Sequence, residues 1–331
     1  MIKNSLGKLV VLGTGGTIAG TAPLAGDNIG YTAAQVGVEQ LLRKIPGFPH
    51  LLAGRTLVCE QVAQVDSKDM SFAIWQRLLA RVSHHFSQAD VSAVVVTHGT
   101  DTLEETAFFL HVALPSELMA GKPVVLTCAM RPASALAPDG PQNLLDAAAV
   151  AFTPGASGVL VVCAGILHAA VDVQKIHTYR VDAFNSGDAG PMGYIEEGCL
   201  RLVRNWNSSP ANNDASILQR MGAVTQWPRV EIVMNYAGAD GALVDAILVR
   251  QRKPKSDRPL RGLVVAATGN GTVHHDLEAA LLRAQAAGVK VVLATRCTGG
   301  RVLPTPGMQF TDSAGLSPVK ARVALMLSLL A

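Results

Sequence analysis

Two α/β domains are what this sequence predicts, a larger N-terminal one on an open, mostly parallel sheet flanked by helices and a smaller C-terminal α/β domain. Three observations carry that prediction. Short, wholly apolar runs recur along the chain, the pattern of strands buried on both faces. The strongest of them end in loops of glycine and hydroxyl residues and lead into segments with helical spacing, the strand–loop–helix order of parallel sheets. A polar, Asn- and Ser-rich stretch at 205–228 breaks this rhythm in a chain of 331 residues, a length that favours two domains. The expected division is therefore 1–204, a linker at 205–228, and 229–331.

The first strand is the run LVVL at 9–12, which stops at Gly13-Thr14-Gly15-Gly16-Thr17. Position 18 is Ile18, so the dinucleotide pattern GxGxxG fails, and no Gly-Lys-Ser/Thr phosphate loop follows. What remains is a small hydroxyl-bearing loop at a strand's carboxyl end, where open α/β sheets bind ligands. Residues 21–29 read as a mobile connection, with Tyr31 just beyond it. A helix at 36–45 is stopped by Pro46-Gly47. A strand at 55–65 runs into Asp66-Ser67-Lys68-Asp69, and a helix at 71–86 follows, for which Asp66 or Ser67 is the simplest cap.

The run VSAVVVT at 91–97 is a further buried strand, followed by His98-Gly99-Thr100-Asp101-Thr102. The helix expected at 103–114 opens with Thr102 and Glu105 in the spacing of a capping box. A strand at 123–129, a helix ending at 151 and a strand at 158–164 come next, with Asp139 read as a cap or a local hydrogen-bonding group. Lys175 lies beyond that strand; taken alone it is an ordinary solvated charge. The C-terminal domain offers strands at 230–235, 262–268 and 289–295 and helices at 276–287 and 318–330. Its strand-end loop is Thr268-Gly269-Asn270-Gly271-Thr272.

Composition narrows the function classes. At 49% hydrophobic and 16% charged, the chain has ample apolar residues for a packed core. A net charge of +3 without a basic block, and only 5% aromatic residues, argue against nucleic acid as a partner. No run approaches the roughly 18 apolar residues of a membrane span. The five cysteines, at 59, 128, 163, 199 and 297, form no CxxC, and Cys59, Cys128 and Cys163 lie in or beside apolar runs. That usage fits reduced thiols, and the short polar lead after Met1 fits a cytoplasmic protein. The pairs His84-His85 and His274-His275 diverge if helical and match no HExxH pattern, so they read as surface or capping residues. Neither a metal nor a cofactor is expected.

The segments TGGTIAG (14–20) and THGTDTLEETAFFL (97–110) together resemble the two signature segments of bacterial-type L-asparaginases, a family that includes glutaminase-asparaginases. AMRP at 129–132, the Asp139-Gly140-Pro141 turn and NSGDAGPMGY at 185–194 are similar to further blocks of that family. The resemblance implies an amidohydrolase in which Thr17 forms an acyl-enzyme, activated by Tyr31 from a closing loop. It implies that Thr100 works with Lys175 and Asp101, and that Asp101 also holds the substrate's ammonium. Gly16, Asp66 and Ser67 would contact the substrate, whose α-carboxylate and α-ammonium the Asp-Ser pair receives. Whether Lys175 acts as base or positioner stays open. Asn270 would reach the active site of a neighbouring subunit in an intimate dimer, two of which form a tetramer. Two departures stand out: Lys68 replaces an uncharged or acidic residue, and residues 299–309 hold no Asp or Glu where many members place an acidic partner for the tyrosine. The leading expectation is hydrolysis of L-asparagine. The alternatives are a glutaminase-asparaginase or other small-amide hydrolase, and a noncatalytic amino-acid-binding protein.

Overall fold

A computed structural model describes residues 7–24, 26–206, 215–251 and 258–330. The chain divides into two compact units between 218 and 219. The first unit comprises β1 (Lys8–Gly15), α1 (Val38–Arg43), α2 (Phe48–Leu52), β2 (Thr56–Val65), α3 (Phe72–Phe86), β3 (Val91–Thr97), α4 (Leu103–Ala113) and β4 (Val124–Thr127). It continues with α5 (Gly140–Ala151), β5 (Val159–Cys163), β6 (Ile166–Ala169), β7 (Gln174–Lys175), β8 (Phe184–Asn185), β9 (Gly193–Glu196) and β10 (Cys199–Leu202). Helix α6 (Ala215–Ala223) forms within the 205–228 stretch, whose residues 207–214 lie outside the described residues. The second unit has β11 (Arg229–Met234), α7 (Ala242–Gln251), β12 (Leu260–Ala267), α8 (His275–Ala286), β13 (Lys290–Thr295), β14 (Thr311–Asp312) and α9 (Pro318–Ser328).

Eight strands of the first unit make one sheet in the order β10-β9-β6-β5-β4-β3-β1-β2. From β5 to β2 every pairing is parallel, and β6, β9 and β10 add antiparallel pairs at one side. The apolar runs explain the parallel part: β1, β3, β4 and β5 are buried nearly throughout, as strands covered by helices on both faces must be. One face packs Leu9, Val11, Val95, Val125 and Val162 against Leu41, Phe48, Leu144 and Ala148 of α1, α2 and α5. On α3, buried Trp75, Leu78, Leu79, Val82 and Phe86 recur at helical spacing, and Trp75 stacks on Phe109 of α4 at 4.8 Å. Truncating a residue as enclosed as Leu78 to alanine costs about 2–5 kcal/mol. Strand β1 sits between β3 and β2, so chain order reverses direction across the sheet at β1 and β3. Their carboxyl ends flank the crevice where such sheets bind ligands.

The second unit is a parallel four-stranded sheet, β11-β12-β13-β14, covered by α7 and α8 and by α9. Leu263, Val265 and Leu293 pack against Val244, Leu277 and Leu281. Across both units, no described helix is long and apolar enough to cross a membrane.

Several local expectations are corrected. Thr102 stands at the N-cap of α4, but its Oγ1 donates to Ser67 O at 2.8 Å, so the capping box does not form. A tertiary acceptor takes the hydroxyl from the helix. Helix α3 is capped by Ser71, whose Oγ accepts from Ile74 N, whereas Asp66 caps the short 3₁₀ turn Ser67–Asp69. His85 is buried and bonds Glu60 at 2.9 Å, beside the two-pronged Arg81–Glu60 pair, so it is no surface residue. His274 does cap α8, but because the helix starts after it, the His274 and His275 rings stack at 4.4 Å instead of diverging. The sequence reading assigns nothing to 166–169 or 242–251, where β6 and α7 form. Strand β6 returns from β5 through Ala164-Gly165, both at positive φ (50° and 72°), a tight turn without the usual Asn-Gly or Asp-Gly signal.

Candidate active site

Four loops converge on the carboxyl ends of β1, β2 and β3. After β1 the backbone turns through Gly15 and Gly16 at φ 101° and 81°, and Gly16 N–H donates to Val65 O at the end of β2. A Cβ on Gly16 would fall 2.3 Å from Gly99 Cα, and one on Gly99 would fall 2.5 Å from Ser67 Oγ. No side chain fits at either glycine, and that close stacking of three loops brings their next residues, Thr17 and Thr100, to the same edge. Thr14 does not join them: its Oγ1 donates to Thr97 O at 2.9 Å, buried between β1 and β3.

Thr17 Oγ1 and Tyr31 OH share a hydrogen bond of 2.7 Å. Tyr31 follows a loop that the sequence reading treats as a mobile connection. In the structure the loop is tied at its base by paired backbone bonds of 2.9 Å between Thr21 and Thr32, and Asp27 accepts from Ile29 N and Gly30 N. The Tyr31 ring also lies against Gly20.

The second cluster assembles from residues far apart in sequence. Lys175 Nζ donates to Thr100 Oγ1 at 2.8 Å and to Asp101 Oδ1 at 2.6 Å. Lys175 reaches this place because β7 pairs with β8 and Lys175 N–H donates to Glu104 at the start of α4. Asp101 N–H donates to Ser67 Oγ at 3.1 Å, so the Ser67 hydroxyl and carbonyl both brace the turn that carries Thr100 and Asp101. His98 is fully enclosed; burial pushes it down to about 4, and as a neutral ring it donates from Nδ1 to Gly99 O at 2.7 Å. That bond orients the Gly99 carbonyl directly before Thr100.

Lys68 turns to Asp66 at 2.7 Å. Burial raises the Asp66 carboxyl, but the Lys68 ammonium and backbone N–H outweigh it and hold the group below the usual carboxylate range. Asn270, in the second unit, donates from Nδ2 to Leu303 O at 3.2 Å and accepts Leu303 N–H at 2.7 Å. Two further side chains brace the neighbouring strand ends, Asp139 in the local hydrogen-bonding role read from the sequence. The Asp139 carboxylate accepts Met130 N and Arg131 N, and Asn143 ties Cys128 O to Ala164 N, locking the ends of β4 and β5. Asn143 was not among the sequence candidates: beside Gln142 in the first turn of α5, nothing local marks it as buried.

Two hydroxyls at one sheet edge, each with a polar side chain at hydrogen-bond distance, are the equipment of a hydrolase with an oxygen nucleophile. Comparison with known proteins gives the class its particulars. Residues 8–208 match the N-terminal domain of asparaginase, and residues 229–331 match the glutaminase/asparaginase C-terminal domain. The chain belongs to the asparaginase–glutaminase family of amidohydrolases. It is 34% identical to L-asparaginase 2 of Bacillus subtilis, over 99% of this chain and 84% of that protein. It is 33% identical to L-asparaginase 2 of Escherichia coli, over 98% and 89%, and 32% identical to a glutaminase-asparaginase of Pseudomonas fluorescens, over 99% and 87%. Among solved structures it is similar to a probable cytoplasmic L-asparaginase from Campylobacter jejuni, with a TM-score of 0.86 and 34% identity over 98% of this chain and 95% of that one.

Proposed function

We propose that this protein is an L-asparaginase that converts L-asparagine to L-aspartate and ammonia through an acyl-enzyme on Thr17. The observation that carries the reading is the 2.7 Å bond between Thr17 Oγ1 and Tyr31 OH beside the Lys175–Thr100–Asp101 cluster. Thr17 Oγ1 attacks the side-chain amide carbon while its proton passes towards Tyr31. The C–N bond then breaks, and the proton leaves with ammonia. Water, activated at the second cluster, attacks the Thr17 ester and releases aspartate. Lys175 donates to both Thr100 and Asp101, so in this arrangement it positions the two. To accept the proton of Thr100 it must first pass one to Asp101. The Asp101 carboxylate, Gly16, Ser67 and Asp66 make up the surface for the substrate's α-groups. The pairing of Lys68 with Asp66 keeps the added cation on that carboxylate.

The division into catalytic domain, linker and smaller domain at 1–204, 205–228 and 229–331 belongs to the same reading, as does location in the cytoplasm. So does an intimate dimer, or a tetramer of two, in which Asn270 serves the neighbouring subunit's site. The two bonds between Asn270 and Leu303 hold that loop in shape for such a contact.

The testing experiment is ammonia release from L-asparagine, L-glutamine and their D-forms by wild type, Thr17→Ala and Thr14→Ala. Wild type turns over L-asparagine fastest, and Thr17→Ala is folded and inactive. Thr14→Ala loses about 1 kcal/mol of stability with its buried bond but keeps most activity. An active Thr17→Ala overturns the mechanism; faster turnover of glutamine moves the assignment to glutaminase-asparaginase.

A further inference from the structure

In the second unit, the start of α8 carries a cluster to which the proposed hydrolysis gives no role. His274 is extended (φ −59°, ψ 138°) and His275 is the first helical residue. The two rings stack at 4.4 Å with 25° between their planes. Asp276 Oδ2 lies 3.7 Å from His274 Nδ1, and its Oδ1 lies 3.2 Å from His275 Nε2. One ligand atom from each of the three residues falls within 4.8 Å of the others.

We propose that His274, His275 and Asp276 form a binding site for a transition-metal dication, Zn²⁺ or the neighbouring Ni²⁺ and Cu²⁺. Imidazole nitrogen and carboxylate oxygen bind zinc at about 2.0–2.2 Å, which sets tetrahedral ligands about 3.3 Å apart. The imidazole–carboxylate separations of 3.2 and 3.7 Å, each to a different oxygen of Asp276, are near that spacing, and one atom from each of the three residues lies within 4.8 Å of the others, so the site closes by rotation of these side chains. Two imidazoles with one carboxylate select these borderline ions over Ca²⁺ and Mg²⁺, which prefer oxygen alone. The His275 side chain is 82% exposed, so water completes the coordination shell. Two interactions oppose the ion. Ligation takes the Nδ1 lone pair of His274 from Asp276 N–H, a long bond of 3.3 Å. A dication also meets the positive end of the α8 dipole, which costs about three- to thirtyfold in affinity at an exposed site. Asp276 and Glu278 in the first turn offset that charge.

The site has a built-in reach. His274 N–H donates to Asn235 Oδ1, and Asn235 Nδ2 donates to Thr268 Oγ1, each at 2.9 Å. A bound ion that immobilises His274 therefore stiffens, through Asn235, the Thr268–Thr272 bridge that frames Asn270.

The test is calorimetric titration of Zn²⁺ into the full-length protein after chelator treatment, with three variants alongside. The expected result is one tight ion per chain, weakened more than about a hundredfold in His275→Ala, since loss of an outer partner alone costs ten- to a hundredfold. Asp276→Asn weakens it by about tenfold, and the double variant Cys199→Ser/Cys297→Ser, which removes the exposed thiols, leaves it unchanged. His275 is exposed, and a thermal melt in chelator checks that His275→Ala is folded. Wild type that binds no zinc, zinc binding that survives His275→Ala at the same affinity, or binding lost in the cysteine variant overturns the proposal.

Discussion

Replacing Tyr31 by phenylalanine isolates a single hydroxyl. The ring keeps its packing against Gly20, and the Thr21–Thr32 bridge that closes the loop is untouched, so the side chain stays where it is. What disappears is the 2.7 Å bond to Thr17 Oγ1. If that bond only holds the threonine in place, its loss is that of an ordinary neutral hydrogen bond, about 1 kcal/mol, or roughly fivefold in rate. If Tyr31 takes the Thr17 proton in the transition state, the loss is that of a general base, about 10²–10⁴-fold, or about 2.7–5.4 kcal/mol on the barrier. The two magnitudes do not overlap. Steady-state ammonia release should therefore show kcat down by at least about a hundredfold, with KM changed by only a few-fold and the melting temperature nearly constant. A kcat within tenfold of wild type would refute the assignment of Tyr31 as proton acceptor.

Other expectations follow from the same geometry. Asp101→Asn keeps an oxygen for Lys175 Nζ but removes the charge facing the substrate's ammonium; asparagine turnover should fall at least about a hundredfold, and an analogue without the α-amino group should suffer far less. Equal loss on both substrates would confine Asp101 to holding Lys175 and Thr100. His98 titrates at about 4 in the folded chain against 6.5 ordinarily, so between those values the unfolded chain binds a proton that the native chain does not. Its stabilising contribution is whole above about pH 6.5 and is lost as pH falls to about 4, by about 3 kcal/mol; urea titrations should show that slope in wild type and its absence in His98→Asn. Asn270→Ala mixed with Thr17→Ala should regain activity through hybrid dimers, because one of the two shared sites then draws on two intact contributors. No recovery in a mixture that demonstrably exchanges subunits would remove Asn270 from the site.

Local chemistry in the sequence was enough for the buried parallel strands and for the identity of the loops at their ends, but not for the short antiparallel strands such as β6. An apolar run such as VSAVVVT has little alternative to burial on both faces, and β3 occupies the same seven residues. Gly16 and Thr17 were legible for a similar reason: two consecutive glycines after a buried strand announce a backbone that must turn where no side chain fits. Motif resemblance supplied roles for Lys175 and Tyr31, but not the contacts that position them. Lys175 lies 75 residues from Thr100, and nothing within either segment states that β7 and β8 will pair and deliver the amine at 2.8 Å. The misreading of three polar side chains has one physical cause. Thr102, Ser67 and His85 each carry a polar group that local rules assign to a nearby backbone atom or to water, and each finds a better partner from another element: Ser67 O, the Asp101 N–H, and Glu60. A hydroxyl or imidazole has several partners of nearly equal strength, and enclosure by the fold decides among them, whereas an apolar strand has only the choice of being buried. So the sequence alone determined the parallel core of the sheet and its ligand-facing edge, and only the tertiary structure decided the antiparallel additions and which polar groups meet, among them, in the second unit, the two histidines that stack because α8 begins between them.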